Sequence, residues 1–476
     1  MSPRWRVWWL ALAVATPGPA LAQAADTVTL ADAIAEALDR NASVRQARAA
    51  VSAADGQVRE AWAQALPDIN ASATYQRNFL VQEQIFEFNG EVIRARFGFE
   101  NNWAAGFTVD QPLFQADVIY GVGAAGRYRA LERERARGTA QSVVTGVRQA
   151  YLNALAQVEL ARLNESSVER IRATLAETQA RYRAGLTSEY DVLRFEVQLA
   201  NLEPQLRRAQ DALAEAKRLL RIAMGRPAEG DIEVVGRLAD LNVLDPAGNT
   251  PDNAMLLALS GPLLDSATLD SAYALALAAR SDVRQATLGM SVEEARVNVE
   301  RAQLFPKVSL FGAYNYYAAD PGSPDFFGET AEYRTPAAWG GIRIELPIFR
   351  GFRESARMQQ ARAGVEQNRV ALELAREQAA NDLRTLIDAL AETRERAASQ
   401  ERAVAQARRG YQIATVEYRE GLGSQLQVTD AELALRQSEY NYALAVFDHL
   451  IARANLDAAL GTVPDEVDLA AAGTTN

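Results

Sequence analysis

One histidine, one glycine-rich hexapeptide and a few acids beside a repeated phrase are the residues of this 476-residue chain whose types and spacing could carry chemistry. A general acid or base needs a partner in hydrogen-bond reach, and nothing in the sequence pairs with His449. It lies on a helical apolar stripe beside Phe447 and reads as a satisfied structural histidine. GVGAAG at 121–126 fits G-x-G-x-x-G after a strand and before a helix, the arrangement that cradles a pyrophosphate. No second parallel strand follows within roughly the next 30 residues, as that site requires. The small residues read instead as relief of crowding where a strand hands over to a helix. Cysteine is absent, which removes thiolate ligands, cysteine nucleophiles and disulfides together, and no methionine or histidine cluster points to a metal. The chain is expected to be no enzyme, with no catalytic residues, no metal and no cofactor.

The acids are Asp191, inside the first copy of a repeated phrase, and Asp430, just after the second. YRAGLTSEYDV at 182–192 returns as YREGLGSQLQV at 418–428. A shift of 236 positions lays Tyr182, Arg183, Gly185, Leu186, Ser188, Val192, Glu196, Leu199 and Gly225 on Tyr418, Arg419, Gly421, Leu422, Ser424, Val428, Glu432, Leu435 and Gly461 without a gap. A shift of 239 puts Val44-Arg45-Gln46-Ala47 and Pro67 on Val283-Arg284-Gln285-Ala286 and Pro306, and QPLF at 111–114 matches LPIF at 346–349. The chain is two tandem copies of one plan.

The apolar period tells which elements position these residues. Leu433, Tyr440, Leu444, Phe447, Ile451 and Ala454 follow helical steps, as do Leu372, Ala375, Ala379, Leu383, Leu386 and Leu390. Such alanine-rich stripes want helical neighbours. Between the helices the period drops to two. Ile69, Ala71, Ala73 and Tyr75 share a face; so do Trp103, Ala105, Phe107 and Val109; so do Val308, Leu310, Tyr314 and Tyr316; and so do Ile342, Ile344, Leu346 and Ile348. Each run is about 10 residues, the length of a tilted strand crossing a bilayer, and aromatics gather at the strand ends.

From about residue 116 to Gly185 the helical pattern runs for about 105 Å at 1.5 Å per residue, and the return helix to Met224 is about half as long. A short helix near Leu269–Leu304 then leads to strand three. The expectation is that these two short helices stack end to end beside the long one. In the second copy a long helix from Gly351 to Arg419 turns at Gly421 and returns to Gly461, with Leu30–Leu66 as the stacked partner. Gly185 and Gly421 then mark two hairpin tips about 100 Å from the strands. Four strands cannot close a membrane barrel, because edges facing lipid leave backbone groups unpaired. Two chains would give eight strands around a filled interior, whereas three give twelve and room for water. A through-channel therefore favours a homotrimer.

The N-terminus reads as an export signal. Arg4 and Arg6 precede an apolar run from Val7 to Ala15, a PGP breaker and the small-x-small site Ala20-Leu21-Ala22, giving a signal peptide over 1–22. The run is well short of the roughly 20 residues of a spanning helix, and without cysteine the mature end is not lipidated. A formal charge of -11 argues against nucleic acid as partner.

These features resemble the TolC-like outer-membrane efflux proteins over essentially the whole mature chain. The resemblance rests on the helix-strand-strand-helix order, the LPD and FPK strand entries, the QPLF and LPIF exits and both tip phrases. It implies a mainly α protein with membrane β: four strands per chain of a shared 12-stranded trimeric outer-membrane barrel, and a long periplasmic α-helical barrel. The strands and loops would occupy 67–115 and 306–350, the helical barrel 31–66, 116–225, 270–305 and 351–461, and an equatorial collar and tail 226–269 and 462–476. It also implies outer-membrane lipid as the surroundings and passive export to a Gram-negative exterior, driven by an inner-membrane pump and a periplasmic adaptor. The adaptor would dock at the tips through Gly185, Leu186, Ser188, Gly421, Leu422 and Ser424. The family's inward aspartates near the aperture align with Gln427 and Asp430. Only Asp430 keeps the acid, and Asp191, aligned with Gln427 in the first copy, is a further candidate, so one acidic ring or two stays open. The rival reading is a periplasmic coiled-coil adaptor or structural protein without a pore, which shares the hairpins but has no need of four amphipathic strands.

Overall fold

The computed structural model describes residues 26–88, 90–238, 241, 243, 269–320 and 334–463. The signal-peptide region, most of the expected collar and nearly all of the tail lie outside the described residues. Eight helices and eight strands are described: β1 (Asp26–Val28), α1 (Leu30–Arg40), α2 (Ala42–Ala63), β2 (Asp68–Arg77), β3 (Glu83–Phe88), β4 (Glu91–Arg96), β5 (Asn101–Phe114), α3 (Ala116–Arg183), α4 (Glu189–Ala223), β6 (Ile232–Val234), α5 (Leu269–Ala279), α6 (Ser281–Ala302), β7 (Lys307–Asp320), β8 (Arg334–Glu345), α7 (Arg353–Arg419) and α8 (Gln425–Leu460).

The long strands form one antiparallel sheet in the order β2-β5-β7-β8, so the copies meet at β5–β7 and, among the described residues, the two outer edges stay open. The register carries a single face across the sheet. Ala71 pairs with Phe107, Phe107 with Tyr314 and Tyr314 with Ala338; Phe114 pairs with Val308 and Val308 with Ile344. Ser72, Asn315 and Arg343 fall on the other face, where Arg343 approaches Asp110 at 3.5 Å. The second hairpin, β3–β4, turning at Gly90 with φ 86°, has no counterpart in the sequence expectations.

α3 and α7 run for 68 and 67 residues, about 100 Å each. α2 and α4 both pack along α3, while α6 and α8 both pack along α7. The end of α4 meets the α1/α2 break. A Cβ on Gly225 (φ 81°) would lie 2.8 Å from the Arg40 carbonyl carbon, and Asn41 Nδ2 donates to the Ala223 carbonyl at 2.9 Å. The end of α8 meets the α5/α6 break in the same way, Gly461 (φ 72°) against Ala279 and Arg280. This corrects the expected stacking: α2 continues α4 and α6 continues α8. It also divides both supposed single helices, because Asn41 and Arg280 are extended (ψ 133° and 128°) in the middle of unbroken apolar periodicity.

The largest core sits at this mid-height. It joins α1, the middle of α3 (Val144 to Ala156), the end of α4, and Val446 and Leu450 of α8. β1 pairs with β6 in parallel, and the fully buried Tyr151 of α3 pins that pair: its hydroxyl accepts from Val235 N at 3.0 Å and lies 3.0 Å from the Val28 carbonyl. Arg226 ties the end of α4 to Glu36 and Asp26.

Candidate functional site

Two regions carry the sequence-predicted residues: the helical tips and the four-stranded sheet. At the first tip α3 ends with Gly185 in the left-handed region at φ 76°, and Leu186 N reaches back to the Arg181 carbonyl at 2.9 Å. Only a residue without a Cβ takes that φ at little cost, so glycine ends the helix and turns the chain. Ser188 then caps α4. Its hydroxyl accepts from Asp191 N at 3.2 Å, and its own N–H donates to Asp191 Oδ2 at 3.3 Å, a capping box. The second tip repeats the device with Gly421 at φ 76°, Leu422 N on the Glu417 carbonyl, and Ser424 boxed with Gln427, whose Oε1 accepts from Ser424 N at 2.7 Å. Leu186 and Leu422 protrude, 69% and 84% exposed.

Asp191 and Gln427 thus share a local task that explains why they align. Burial works against the Asp191 carboxylate, but hydrogen bonds from Thr187 and Ser188 outweigh it and hold its pKa below the usual range. Asp430 is free of the cap and exposed, one turn further along α8. Beside the tips, a groove of about 510 Å³ between α4 and α8 is lined by Tyr190, Leu193, Val197 and Leu433.

Sequence reasoning missed the contacts that join the two hairpins. Arg181 Nη1 donates to the Arg419 carbonyl at 2.7 Å and its guanidinium lies 5.5 Å from the Tyr418 ring centroid. Thr178 Oγ1 is 3.4 Å from the Tyr418 hydroxyl, and Arg419 Nε is 3.2 Å from Glu177 Oε2. Deeper in, the fully buried Glu432 of α8 accepts from Ser167 and from Arg170 of α3. The matched pair Glu196 and Glu432 was visible in the repeat, but nothing in sequence showed that only the second is enclosed.

The remaining candidates resolve simply. GVGAAG lies within α3 itself, so it makes no phosphate-binding loop. A Cβ at Gly121, Gly123 or Gly126 would enter open space, so these glycines relieve no crowding within the chain, contrary to expectation. His449 is buried on α8 with Nδ1 3.3 Å from Thr393 Oγ1; burial, then Arg453 and Arg394, push its pKa down to about 4. Among the described residues there is no cluster of acids or histidines fit to hold a metal, and no helix is long and apolar enough to cross a membrane. The latter says nothing of the sheet.

Comparison with known proteins follows the same duplication. A family described as outer membrane efflux protein matches residues 33–226 and again 272–462. Among curated relatives, the alkaline protease secretion protein AprF of Pseudomonas aeruginosa is 25% identical over 377 residues, 78% of this chain and 71% of that one. The outer membrane efflux protein BepC of Brucella suis is 22% identical over 458 residues, covering 94% and 90%. Among solved structures, CusC superposes with a TM-score of 0.70 at 19% identity, over 91% of this chain and 92% of that one. The outer membrane protein VceC of Vibrio cholerae gives 0.68 at 20%, over 91% and 96%.

Proposed function

The chain belongs to the outer membrane efflux protein family, and on that premise we propose that three copies form an outer-membrane exit duct for a tripartite efflux or type I secretion system. One observation carries the trimer: the sheet β2-β5-β7-β8 has one continuous apolar face and two open edges. Unpaired backbone groups cannot face lipid, so β2 of one copy must pair with β8 of the next until the ladder closes. Three copies give twelve strands and a lumen wide enough for water. The long helices then hang as a periplasmic barrel, the exposed Leu186 and Leu422 dock an adaptor that links to an inner-membrane pump, and Asp430 lines the aperture. The chain is exported with a cleaved signal peptide over residues 1–22. The channel relatives support this reading over a pore-less adaptor.

Native mass spectrometry of the detergent-extracted outer-membrane protein tests it. A trimer that dissociates only on heating in SDS is expected, and a stable monomer overturns the proposal.

A further inference from the structure

A groove of about 670 Å³ runs between α2, α3 and α6, from mid-height toward the sheet. Val44 of α2, Ala130 of α3 and Leu288 of α6 give it an apolar floor. Around that floor stand Arg48, Arg129, Arg133, Arg137 and Arg284, and among the described residues that line it Glu134 is the one acid. Arg137 and Arg284 hold Glu134 at 2.6 and 3.3 Å. Arg129 and Arg133 share Asp55 of α2 at 3.7 and 3.6 Å, beyond hydrogen-bond length. Five cations thus meet two acids, in a chain whose formal charge is -11.

The groove opens on the side where the described chain ends. Gly126, Ala130, Arg133, Arg137 and Ala140 follow three- and four-residue steps on α3, and the same stripe runs on into Val144, Val147 and Tyr151 of the mid-height core. Val463, 2% exposed, is packed in that core with Val44 and Ala140, both of which also line the groove. Its carbonyl accepts from Gln141 Nε2 at 3.2 Å. The residues after Val463 therefore depart from the mid-height end of the groove.

We propose that residues 464–476 of this same chain occupy the groove, running from Val463 toward the sheet. Reach permits it. Ala140 to Gly126 spans about 21 Å of helix, and thirteen extended residues cover about 43 Å. Charge favours it, because PDEVDLAAAGTTN carries Asp465, Glu466 and Asp468 and no cation. Spacing fits as well. In an extended segment alternate side chains face opposite ways, so Val467 and Leu469 turn to the apolar floor while Glu466 and Asp468 turn to the arginines. Two extended residues advance about 6.6 Å and four helical residues about 6 Å. Counted from Val463 against Gln141, Glu466 then falls beside Arg133 and Asp468 beside Arg129. The segment ties α2 and α6 to α3 just beyond the two helix breaks, and this contact lies within one chain and does not depend on the ring.

The absence of cysteine makes the test direct. In full-length protein from outer membranes, Asp468→Cys with Arg129→Cys is oxidised, denatured and treated with maleimide. A disulfide within the monomer, with no thiol left to label, is expected, whereas Asp468→Cys with Arg172→Cys, far along α3, should keep both thiols. Free thiols in the first pair overturn the contact, and covalent dimers assign the groove to a neighbour's tail and overturn the choice of occupant. As a second readout, a glutamate-specific protease should cut after Glu466 several-fold faster in Arg129→Gln with Arg133→Gln than in the wild type, at unchanged native mass. Equal cutting rates count against the acidic tail as what those arginines hold.

Discussion

Tyr75 of β2 and Trp103 of β5 stand opposite each other in the ladder with ring centroids 5.3 Å apart, and the Tyr75 hydroxyl bonds to Asn101 at 2.8 Å. The apolar ring bodies lie on the sheet's apolar face and the polar ends gather at its rim, as side chains do at a lipid–water boundary.

That face gives a first prediction. Ile344→Arg should impair assembly, at about 2 to 4 kcal/mol if the position lies near the bilayer midplane, whereas Glu345→Arg on the opposite face should be tolerated. The yield of heat-modifiable oligomer reads the difference, and equal damage from both changes would refute the assignment of faces.

The helix joints give a second. Gly225→Ala and Gly461→Ala each force a Cβ onto backbone atoms, within 2.8 Å and 2.5 Å, at φ above 70°. Each should cost about 1 to 3 kcal/mol and lower the thermal midpoint. Gly410→Ala, mid-helix with open space at its Cβ, should instead be neutral or raise it.

At the tips, Leu186→Asp or Leu422→Asp should abolish export by weakening adaptor binding while leaving the native mass unchanged. Asp430→Ala should leave adaptor affinity alone but reduce cation selectivity and block by multivalent cations in planar bilayers, since three carboxylates around a narrow mouth attract cations. Unchanged selectivity and block would return Asp430 to an ordinary solvated position.

Two buried groups on α8 should oppose each other in acid. His449 is held neutral, its pKa lowered from 6.5 to about 4 by burial. Between those values the unfolded chain binds a proton that the fold refuses, so stability falls as pH falls through 6.5 toward 4, by up to about 3 kcal/mol. Asp457 runs the other way: burial, only partly offset by Arg148, lifts it to about 6, so the fold binds the extra proton and gains stability on acidification from 6 toward 4. Acidification from pH 7.5 to 4.5 should therefore move the thermal midpoint upward in His449→Asn relative to the change in the wild type, and downward in Asp457→Asn.

Much of this was legible because duplication and periodicity are one-dimensional signals. Gly185 and Gly421 announced the tips, and the alternation around Phe107 and Ile344 announced the sheet and its faces. The stacking of the short helices was not legible, since Asn41 and Arg280 interrupt helices whose apolar rhythm continues across the break, and chain order suggested the wrong neighbours. Glu432 was unreadable for a similar reason: burial between α3 and α8 depends on a partner some 260 residues away, Ser167.

The corrected joints make each copy a complete building block. Residues 26–235 contain a long helix, both short helices that splint it and two strands of the four-stranded sheet, and residues 269–461 contain the same parts again. A polypeptide of half the length would thus carry every part of the plan, and six of them could close the proposed ring. Gene fusion would turn that sixfold assembly into a threefold one with alternating, independently mutable hairpins. Asp191 in one and Gln427 in the other already differ at one position of the repeat.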